Sequence, residues 1–335
     1  MSVTFTKSTA CETYTNYTYT FCSLYGNQQG CDGDRLYFDG SAMIFCNGEV
    51  LQQASQFSLN DVEVITATVD IESVRSYRSA PSRGLQSLST LAYQRIETSF
   101  SLGSTDDDFD VGISPTKPQP LRTHVPEEEI ALSAGCYMWD YLRKSGAAGF
   151  LIPLSGGVDS AATATLVFSM CREVMKALEQ GNQEVKVDVQ RIAGAYGPKD
   201  YVPKDARELC SRILHTVYMG MEKQSSAATR SRAKELSNAI GSYHVDMNID
   251  KMYSAFLETF EESTGFQPRF GSSGGTPAED LALQNIQARS RMVTAYEFAQ
   301  LLPTVRHRPG GGSLLVLGSA NVGFTRPTTS NQLLC

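Results

Sequence analysis

Short apolar runs separated by turn dipeptides characterise the first part of the chain. The runs at 36–38, 42–45 and 62–70 have strand length and are rich in β-branched or aromatic residues, and Asp39-Gly40 and Asn47-Gly48 lie beside them. Asp-Gly and Asn-Gly pairs between such runs favour β-hairpins. We therefore predict consecutive antiparallel strands in this part of the chain.

A polar segment follows these strands. Residues 76–125 are rich in Gly, Pro and charged residues and include an acidic run at 106–108. Such a composition is typical of linkers. We predict a first domain over 1–100, a linker over 101–125 and a second domain over 126–335.

Helical and strand patterns alternate after the linker. Pro126 and the three Glu residues after it predict a helix start, because proline and carboxylates favour the first turn. The pattern predicts strands at 149–154, 243–249 and 314–317, and helices at 159–180 with Asp159 as the cap, 203–223, 225–240, 250–265 with Asp250 as the cap, and 277–302. This alternation indicates an α/β fold, a parallel sheet with helices on both faces.

The segment Ser155-Gly156-Gly157-Val158-Asp159-Ser160 carries the strongest chemical signal. It follows an apolar strand and precedes a helix, so its glycines and the helix N-terminus can bring backbone N–H groups close to a phosphate. The hydroxyls of Ser155 and Ser160 can donate to phosphate oxygens, and Asp159 can hold Mg²⁺. The alternative is a tight turn that only caps a helix. No P-loop or dinucleotide fingerprint is present, which disfavours a P-loop kinase and a dinucleotide dehydrogenase.

Two further positions are candidates for ligand contacts. Arg289 and Arg291 flank one position of the predicted helix 277–302, and a guanidinium can bind a phosphate or carboxylate through two hydrogen bonds. Ser319 follows the last predicted strand, and ligands of open α/β sheets bind at the carboxyl ends of strands. The alternatives are a solvated helix face and an ordinary serine at a strand end.

Composition and charge exclude several classes of protein. The 335 residues carry a net charge of -7, which argues against an electrostatic grip on nucleic acid. No apolar stretch is long enough to span a bilayer, and the N-terminus has no signal-peptide core. The 8 Cys residues form no C-x-x-C pair, so we predict reduced thiols and a cytoplasmic location.

The loop and several longer segments resemble known proteins. SGGVDS (155–160) resembles the pyrophosphate-binding loop of the ATP pyrophosphatase superfamily. The segments at 27–40, 56–78, 126–143, 281–292 and 314–321 resemble, in the same order, the eukaryotic, fungal-like family of glutamine-dependent NAD synthetases. The resemblance covers about 27–322. SGGVDS alone is shared by several families, whereas the whole collection is specific.

The resemblance implies a fold and a reaction. It implies a synthetase domain of the adenine nucleotide alpha-hydrolase type behind the C-terminal remnant of a nitrilase-like αββα domain. The family is a ligase that uses ATP and Mg²⁺ to adenylate deamido-NAD and then forms a C–N bond with ammonia from glutamine. Its partners are small molecules rather than nucleic acid or membrane, and its full-length members are expected to be homo-oligomers.

The resemblance also implies roles for individual residues. Asp159 would bind Mg²⁺, Arg289 would contact deamido-NAD, and Ser155 would be catalytic. The residues expected to bind ATP are Pro153, Leu154, Ser155, Gly156, Gly157, Val158, Asp159, Ser160 and Ser319.

The chain departs from the family pattern in two places. Only 26 residues precede the segment at 27–40, upstream of which the family carries a Glu–Lys–Cys glutaminase triad, so no glutaminase residue is assigned. Gly323 and Phe324 stand where the family has an acidic pair that includes a Mg²⁺ ligand. We therefore expect an incomplete and poorly active form. The alternatives are another ATP pyrophosphatase amidotransferase and a non-catalytic nucleotide-binding fragment.

Overall fold

The chain folds into two units. The computed structural model describes residues 22–319 apart from 34, 80, 89–93, 95, 100–111, 195–200, 223 and 309–310. The described residues 22–30 and 38–126 form the first unit, and 31–37 and 127–319 form the second. Residues 1–21 and 320–335 lie outside the described residues, and so do the predictions about Gly323 and Phe324.

The first unit is built on an antiparallel sheet. Its strands are Cys22–Tyr25 (β1), Met43–Cys46 (β4) and Glu49–Gln53 (β5), in the order β1-β4-β5. Gln29–Cys31 (β2) and Tyr37–Asp39 (β3) pair as a two-stranded ribbon. The strands predicted at 36–38 and 42–45 are thus confirmed as β3 and β4.

The strand predicted at 62–70 is wrong. These residues form no regular element; the side chains of Ile65, Ala67 and Val69 pack against a buried cluster that contains Leu51 and Val74. Alternate residues are therefore partly buried as they would be in a strand, but no neighbouring strand among the described residues supplies a ladder of hydrogen bonds.

Part of the polar segment is ordered against the first unit. Ile71–Arg78 (α1) and Pro81–Leu88 (α2) are helices that the sequence analysis did not predict. Beyond them, the N–H of Gln119 donates to the carbonyl of Val50 at 2.8 Å, and the N–H of Arg122 donates to the side chain of Gln53 at 2.9 Å. The polar composition of this segment predicted a linker and gave no indication of these contacts.

The second unit is an α/β layer structure. Its helices are Pro126–Ser145 (α3), Val158–Glu179 (α4), Gln183–Ile192 (α5), Ala206–Ile213 (α6), Ala227–Ile240 (α7), Asp250–Thr264 (α8) and Pro277–Val305 (α9). Its strands are Phe150–Pro153 (β6), Leu214–Gly220 (β7), Tyr243–Asn248 (β8) and Leu315–Val316 (β9). They form one parallel sheet in the order β8-β7-β6-β9. The predicted parallel sheet is confirmed.

Alternate residues of β7 show that both faces of this sheet are covered. Val217 and Met219 lie in a buried cluster with residues of α8 and α9. Thr216 and Tyr218, which point to the opposite face, form hydrogen bonds with Ser237 and Thr229 of α7. The strand is buried along its whole length for this reason.

The helix predicted at 203–223 is wrong in its second half. The helix α6 ends at Ile213, and the chain continues directly into β7, the strand between β6 and β8. A strand buried on both faces has no polar alternation, so the apolar run at 214–220 could not be distinguished from a buried helix by its pattern. The helix α5 was also missed.

Helix ends depend on caps that the sequence analysis identified only in part. The side chain of Thr276 and that of Glu279 form a reciprocal capping box at the start of α9. The residue before α8 is Ile249, so Asp250 is inside the helix; its carboxylate instead accepts from the N–H of Glu222 at 3.1 Å. The prediction of Asp250 as the cap is therefore wrong. None of the described helices has the length and apolar character that a membrane-spanning segment needs.

Candidate functional site

The predicted loop lies at the carboxyl edge of the parallel sheet. The strand β6 ends at Pro153, and the N–H of Leu154 extends its pairing by donating to the carbonyl of Val217 at 2.9 Å. The chain then turns through Ser155, Gly156 and Gly157 into α4. Pro153 is partly buried and the side chain of Leu154 is buried, so the accessible part of the loop begins at Ser155.

Gly156 allows the loop to contact the main chain of a neighbouring helix. It has a φ of +76°, and a Cβ atom at this position would lie 2.2 Å from the carbonyl oxygen of Thr229 in α7. Both the left-handed backbone and the close approach exclude a side chain. The loop is thus held against the first turn of α7.

Two serine hydroxyls close the loop. Ser160 Oγ donates to the carbonyl of Gly157 at 3.1 Å, and the N–H of Gly157 donates to Ser155 Oγ at 3.2 Å. The two hydroxyl oxygens are 3.0 Å apart, and either hydroxyl can be the donor in this contact. Ser160 is buried and occupied in this network, whereas Ser155 is exposed and is the hydroxyl available to a ligand.

The first turn of α4 presents backbone donors. Within the described residues, the N–H groups of Val158, Asp159 and Ser160 form no hydrogen bond, and the first helical bond runs from Ala161 to Gly157 at 3.1 Å. Unpaired N–H groups and the helix dipole favour an anion here. The side chain of Val158, within the same turn, is exposed.

Asp159 does not have the capping role that the sequence predicted. The cap of α4 is Gly157, which has no side-chain hydrogen bond, and Asp159 lies within the first turn. Its carboxylate is exposed beside the backbone donors. One carboxylate beside backbone donors that favour an anion fits Mg²⁺, which is commonly held by one or two carboxylates together with substrate phosphates. The described ranges contain no group of three or more His, Cys, Asp or Glu side chains that could hold a metal ion.

A polar network at the ends of β7 and β8 was missed by the sequence analysis. Tyr218 and Thr229 share a hydrogen bond of 3.1 Å between their hydroxyls. The guanidinium of Arg230 bonds the side chain of Asn248 and forms an ion pair with Asp246 at 3.4 Å. This network fixes the first turn of α7, on which Gly156 packs. No short sequence motif marks these residues, because they come from separate elements.

The remaining candidates lie on β9 and α9. The N–H of Leu317 donates to the carbonyl of Leu151 at 2.9 Å, so β9 runs beside β6 and the exposed Ser319 lies at the same sheet edge as the loop. Arg289 is partly buried on α9. Its neighbour Arg291 is joined to the sheet, since its Nε donates to the carbonyl of Met219 at 3.1 Å.

Comparisons with known proteins match both units. The NAD synthase family matches residues 133–306, and the carbon-nitrogen hydrolase family matches residues 18–79. A glutamine-dependent NAD(+) synthetase of Saccharomyces cerevisiae is 54% identical over 301 residues, and that of Homo sapiens is 52% identical over 300 residues. Each alignment covers 89% of this chain but only 42% and 41% of the relatives, so the chain spans less than half their length.

A solved structure shares the fold. The glutamine-dependent NAD(+) synthetase from Cytophaga hutchinsonii aligns with a TM-score of 0.62 and 21% sequence identity, covering 90% of this chain and 40% of the other. The family model matches more than half of the residues, and the parallel sheet with helices on both faces agrees with this match. The chain belongs to the NAD synthase family.

Proposed function

We propose that this chain performs the ATP-dependent reaction of its family, the amidation of deamido-NAD to NAD with release of AMP and pyrophosphate. One observation carries the proposal: a loop with unpaired backbone donors lies at the carboxyl edge of the parallel sheet in a chain of the NAD synthase family. Ligands of open α/β sheets bind at that edge.

The chemistry requires activation of a carboxylate, which is a poor electrophile. In the proposed reaction, a carboxylate oxygen of deamido-NAD attacks the α-phosphorus of ATP, and pyrophosphate leaves. Ammonia then attacks the carbonyl carbon of the adenylate, and AMP leaves. Positioning and charge stabilisation account for most of the rate acceleration in such transfers.

The residues of the loop suit these steps. We assign the pyrophosphate portion of ATP to the backbone donors at Val158–Ser160 and to the exposed hydroxyl of Ser155, which stabilises charge on the leaving group. Ser319, at the same edge, is proposed to contact ATP, and Arg289 to contact deamido-NAD. Asp159 would hold Mg²⁺, which supplies neutralisation of phosphate charge when bound.

Binding and turnover together test this proposal. Titration calorimetry on the full chain should show binding of MgATP and deamido-NAD but no binding of xanthosine monophosphate or aspartate, the acceptors of related amidotransferases. Ammonium supplied directly with both substrates should yield NAD, AMP and pyrophosphate in equal amounts but slowly, because Gly323 and Phe324 stand where the family has an acidic pair that includes a Mg²⁺ ligand. If the chain binds deamido-NAD no better than the other acceptors, the result would favour another ATP pyrophosphatase amidotransferase. If it binds nucleotide without releasing pyrophosphate, the result would favour a non-catalytic fragment.

The family relationship supports further proposals about the whole protein. We propose glutamine as the physiological nitrogen source, a cytoplasmic location, and a homo-oligomeric assembly without nucleic-acid or membrane partners. The proposed domains remain 1–100, a linker over 101–125, and 126–335.

A further inference from the structure

Two cysteine thiols face each other across neighbouring strands of the first unit. Cys22 of β1 is directly opposite Cys46 of β4, and their Sγ atoms are 3.2 Å apart. Both are free thiols, and either can be the donor in this contact. Opposite residues of an antiparallel pair have Cα atoms about 4.5–5.5 Å apart, within the range that a disulfide bridges. A bond between the two sulfurs therefore requires rotation of the side chains rather than a movement of the strands.

The two thiols differ in their access to solvent. Cys22 is exposed, whereas Cys46 is buried in a cluster with Leu51 and Val74. Burial, followed by the hydrogen bond with Cys22, raises the pKa of the Cys46 thiol, so Cys46 stays protonated at neutral pH. An oxidant in solution therefore meets Cys22 first, and the second thiol is already in contact behind it.

A second pair of thiols in contact lacks this access. Cys171 of α4 and Cys210 of α6 share a hydrogen bond in the second unit, and both side chains are fully buried. Redox-active cysteines are accessible to solvent and lie next to a second thiol that can complete a disulfide. Among the described cysteines, only Cys22 and Cys46 combine this contact with the exposure of one partner.

The position of the pair gives a disulfide a structural consequence. Among the described strands, β1 pairs only with β4, because it lies at the edge of the order β1-β4-β5. Four residue pairs hold β1 there, and Cys22 with Cys46 is the first of them. A strand with a single neighbour opens more easily than a central one. A covalent bond at this pair would fasten the edge strand to the sheet.

We propose that Cys22 and Cys46 are a redox pair, which a peroxide converts into a disulfide that fastens β1 to β4. The inference is independent of the proposed function, since both cysteines lie in the first unit and outside the loop Ser155–Ser160.

The oxidation has two steps. The sulfur of Cys22, having released its proton, attacks one oxygen of hydrogen peroxide; an S–O bond forms, the O–O bond breaks, and the leaving hydroxide takes up that proton as water. The sulfur of Cys46 then attacks the sulfur of Cys22; the S–S bond forms, the S–O bond breaks, and the second hydroxide takes the proton of Cys46. Two thiols and one peroxide thus give one disulfide and two waters.

The test maps the bond in the folded full chain. The reduced chain is treated with an equimolar amount of hydrogen peroxide, catalase removes the excess, and the free thiols are alkylated in urea. Trypsin cleaves after Arg35, between the two cysteines, so a disulfide joins two peptides that separate on reduction. Mass spectrometry of the joined peptides identifies the bonded residues.

Three serine variants assign the bond. Cys22→Ser removes the exposed thiol of the pair. Cys11→Ser and Cys31→Ser are the matched controls, because Cys11 and Cys31 lie in the same tryptic peptide as Cys22. Cys31→Ser also keeps an acceptor for the N–H of Gly33, which donates to Cys31 Sγ in the structure.

The wild type and both control variants should contain peptides joined through residues 22 and 46, and dithiothreitol should separate them. Cys22→Ser should contain no such product. Cys171 and Cys210 should be recovered as alkylated thiols, because peroxide does not reach them in the folded chain. Amide hydrogen exchange of β1 should slow by about tenfold or more in the oxidised chain, since the bond restricts opening of the edge strand.

Oxidation of Cys22 to a sulfinic acid without a bond to Cys46 would overturn the inference. So would a disulfide of Cys46 that forms equally in Cys22→Ser, or one that forms in the wild type only after unfolding in urea. If Cys22→Ser does not fold, the fragment spectrum of the joined wild-type peptides decides, because it shows directly whether residues 22 and 46 are bonded.

Discussion

At the scale of single residues, the candidate site depends on one exposed carboxylate and one glycine. Asp159 lies in the first turn of α4 with an exposed side chain, and Gly156 lies in the turn before it, in contact with α7. The first residue is placed to act on a ligand, whereas the second shapes the loop. Substitution should separate these two roles.

Asp159→Asn should weaken MgATP binding by about tenfold or more, because it removes the carboxylate that we propose as the Mg²⁺ ligand. It should change the affinity for ATP without metal much less. The free energy of unfolding should fall by only about 0.3–1 kcal/mol, the usual value of a charge near a helix N-terminus. Calorimetry with and without Mg²⁺, and urea unfolding, measure these effects.

Glu179→Gln provides the matched control for Asp159→Asn, since Glu179 is an exposed carboxylate at the other end of α4. It should leave both affinities unchanged. If the ATP affinity depends equally on Mg²⁺ in Asp159→Asn and in the wild type, Asp159 does not bind the metal.

Gly156→Ala should both destabilise the chain and impair nucleotide binding. The left-handed backbone alone costs roughly 1–2 kcal/mol for a non-glycine residue. The added Cβ would also contact the carbonyl of Thr229 at 2.2 Å, so the loop and α7 must separate. Urea unfolding and MgATP titration measure the two consequences.

Gly181→Ala isolates the backbone cost of the Gly156 substitution. Gly181 has a similar φ of +81°, but a Cβ there would meet nothing within 4 Å. It should lose stability without losing MgATP affinity. If Gly156→Ala and Gly181→Ala lose the same stability and have the same MgATP affinity, the contact between Gly156 and Thr229 does not shape the site.

At the scale of secondary structure, β7 organises the second unit. It pairs with β6 and β8, and its two faces pack against different helices. Its carboxyl end contributes Tyr218 and Met219 to the surroundings of the loop, and its amino end contributes the fully buried His215. One strand thus links the core to the candidate site.

His215 is held neutral by its surroundings. Burial, followed by the positive charge of Arg306, lowers the pKa of His215 from its usual 6.5 to about 3. Arg306 Nη1 donates to His215 Nε2 at 2.8 Å, so the imidazole must accept at that nitrogen and carry its proton on Nδ1. The ring also packs against Tyr243, with centroids 5.6 Å apart.

The stability of the chain should therefore fall as the pH drops from about 6.5 toward 3. In this window the unfolded chain binds a proton at residue 215 and the folded chain does not, so the free energy of unfolding decreases by up to about 1.4 kcal/mol per pH unit from this group. Urea unfolding at successive pH values measures the slope.

His215→Gln should reduce the decrease in the free energy of unfolding per pH unit. The control is His307→Gln, at an exposed position after α9, which should leave this decrease unchanged. An identical slope in the wild type and His215→Gln would show that His215 is not the group responsible.

At the scale of the whole molecule, a single tryptophan reports on the unit that carries the site. Trp139 is the one Trp of the sequence, and its side chain, 1% exposed, lies in α3 of the second unit. Its fluorescence should therefore follow the unfolding of this unit. A ligand that binds the folded unit must shift that transition.

MgATP at about a hundred times its dissociation constant should raise the free energy of unfolding by about 2.7 kcal/mol, and so raise the urea midpoint of the Trp139 transition. MgCl₂ alone should not, and Asp159→Asn should reduce the shift. A midpoint that does not respond to MgATP would contradict nucleotide binding by the second unit.

The division of the chain into two units could be predicted only in part from the sequence. The segment at 31–37 lies early in the chain, yet it belongs to the second unit. The N–H of Cys31 donates to the buried carboxylate of Asp140 at 2.9 Å, and Lys144 donates to the carbonyl of Cys31 at 2.7 Å. These partners are more than a hundred residues apart, and local composition contains no signal for such a pairing.

The sequence by itself determined the parallel α/β fold and the position of the loop Ser155–Ser160, because alternating apolar segments and a glycine turn between strand and helix are local signals. The tertiary structure decided which residues surround that loop. It made the run at 214–220 a central strand, brought Thr229 against Gly156, and joined Arg291 to Met219. Such contacts join distant parts of the chain, and burial on both faces removes the alternation by which a strand is recognised.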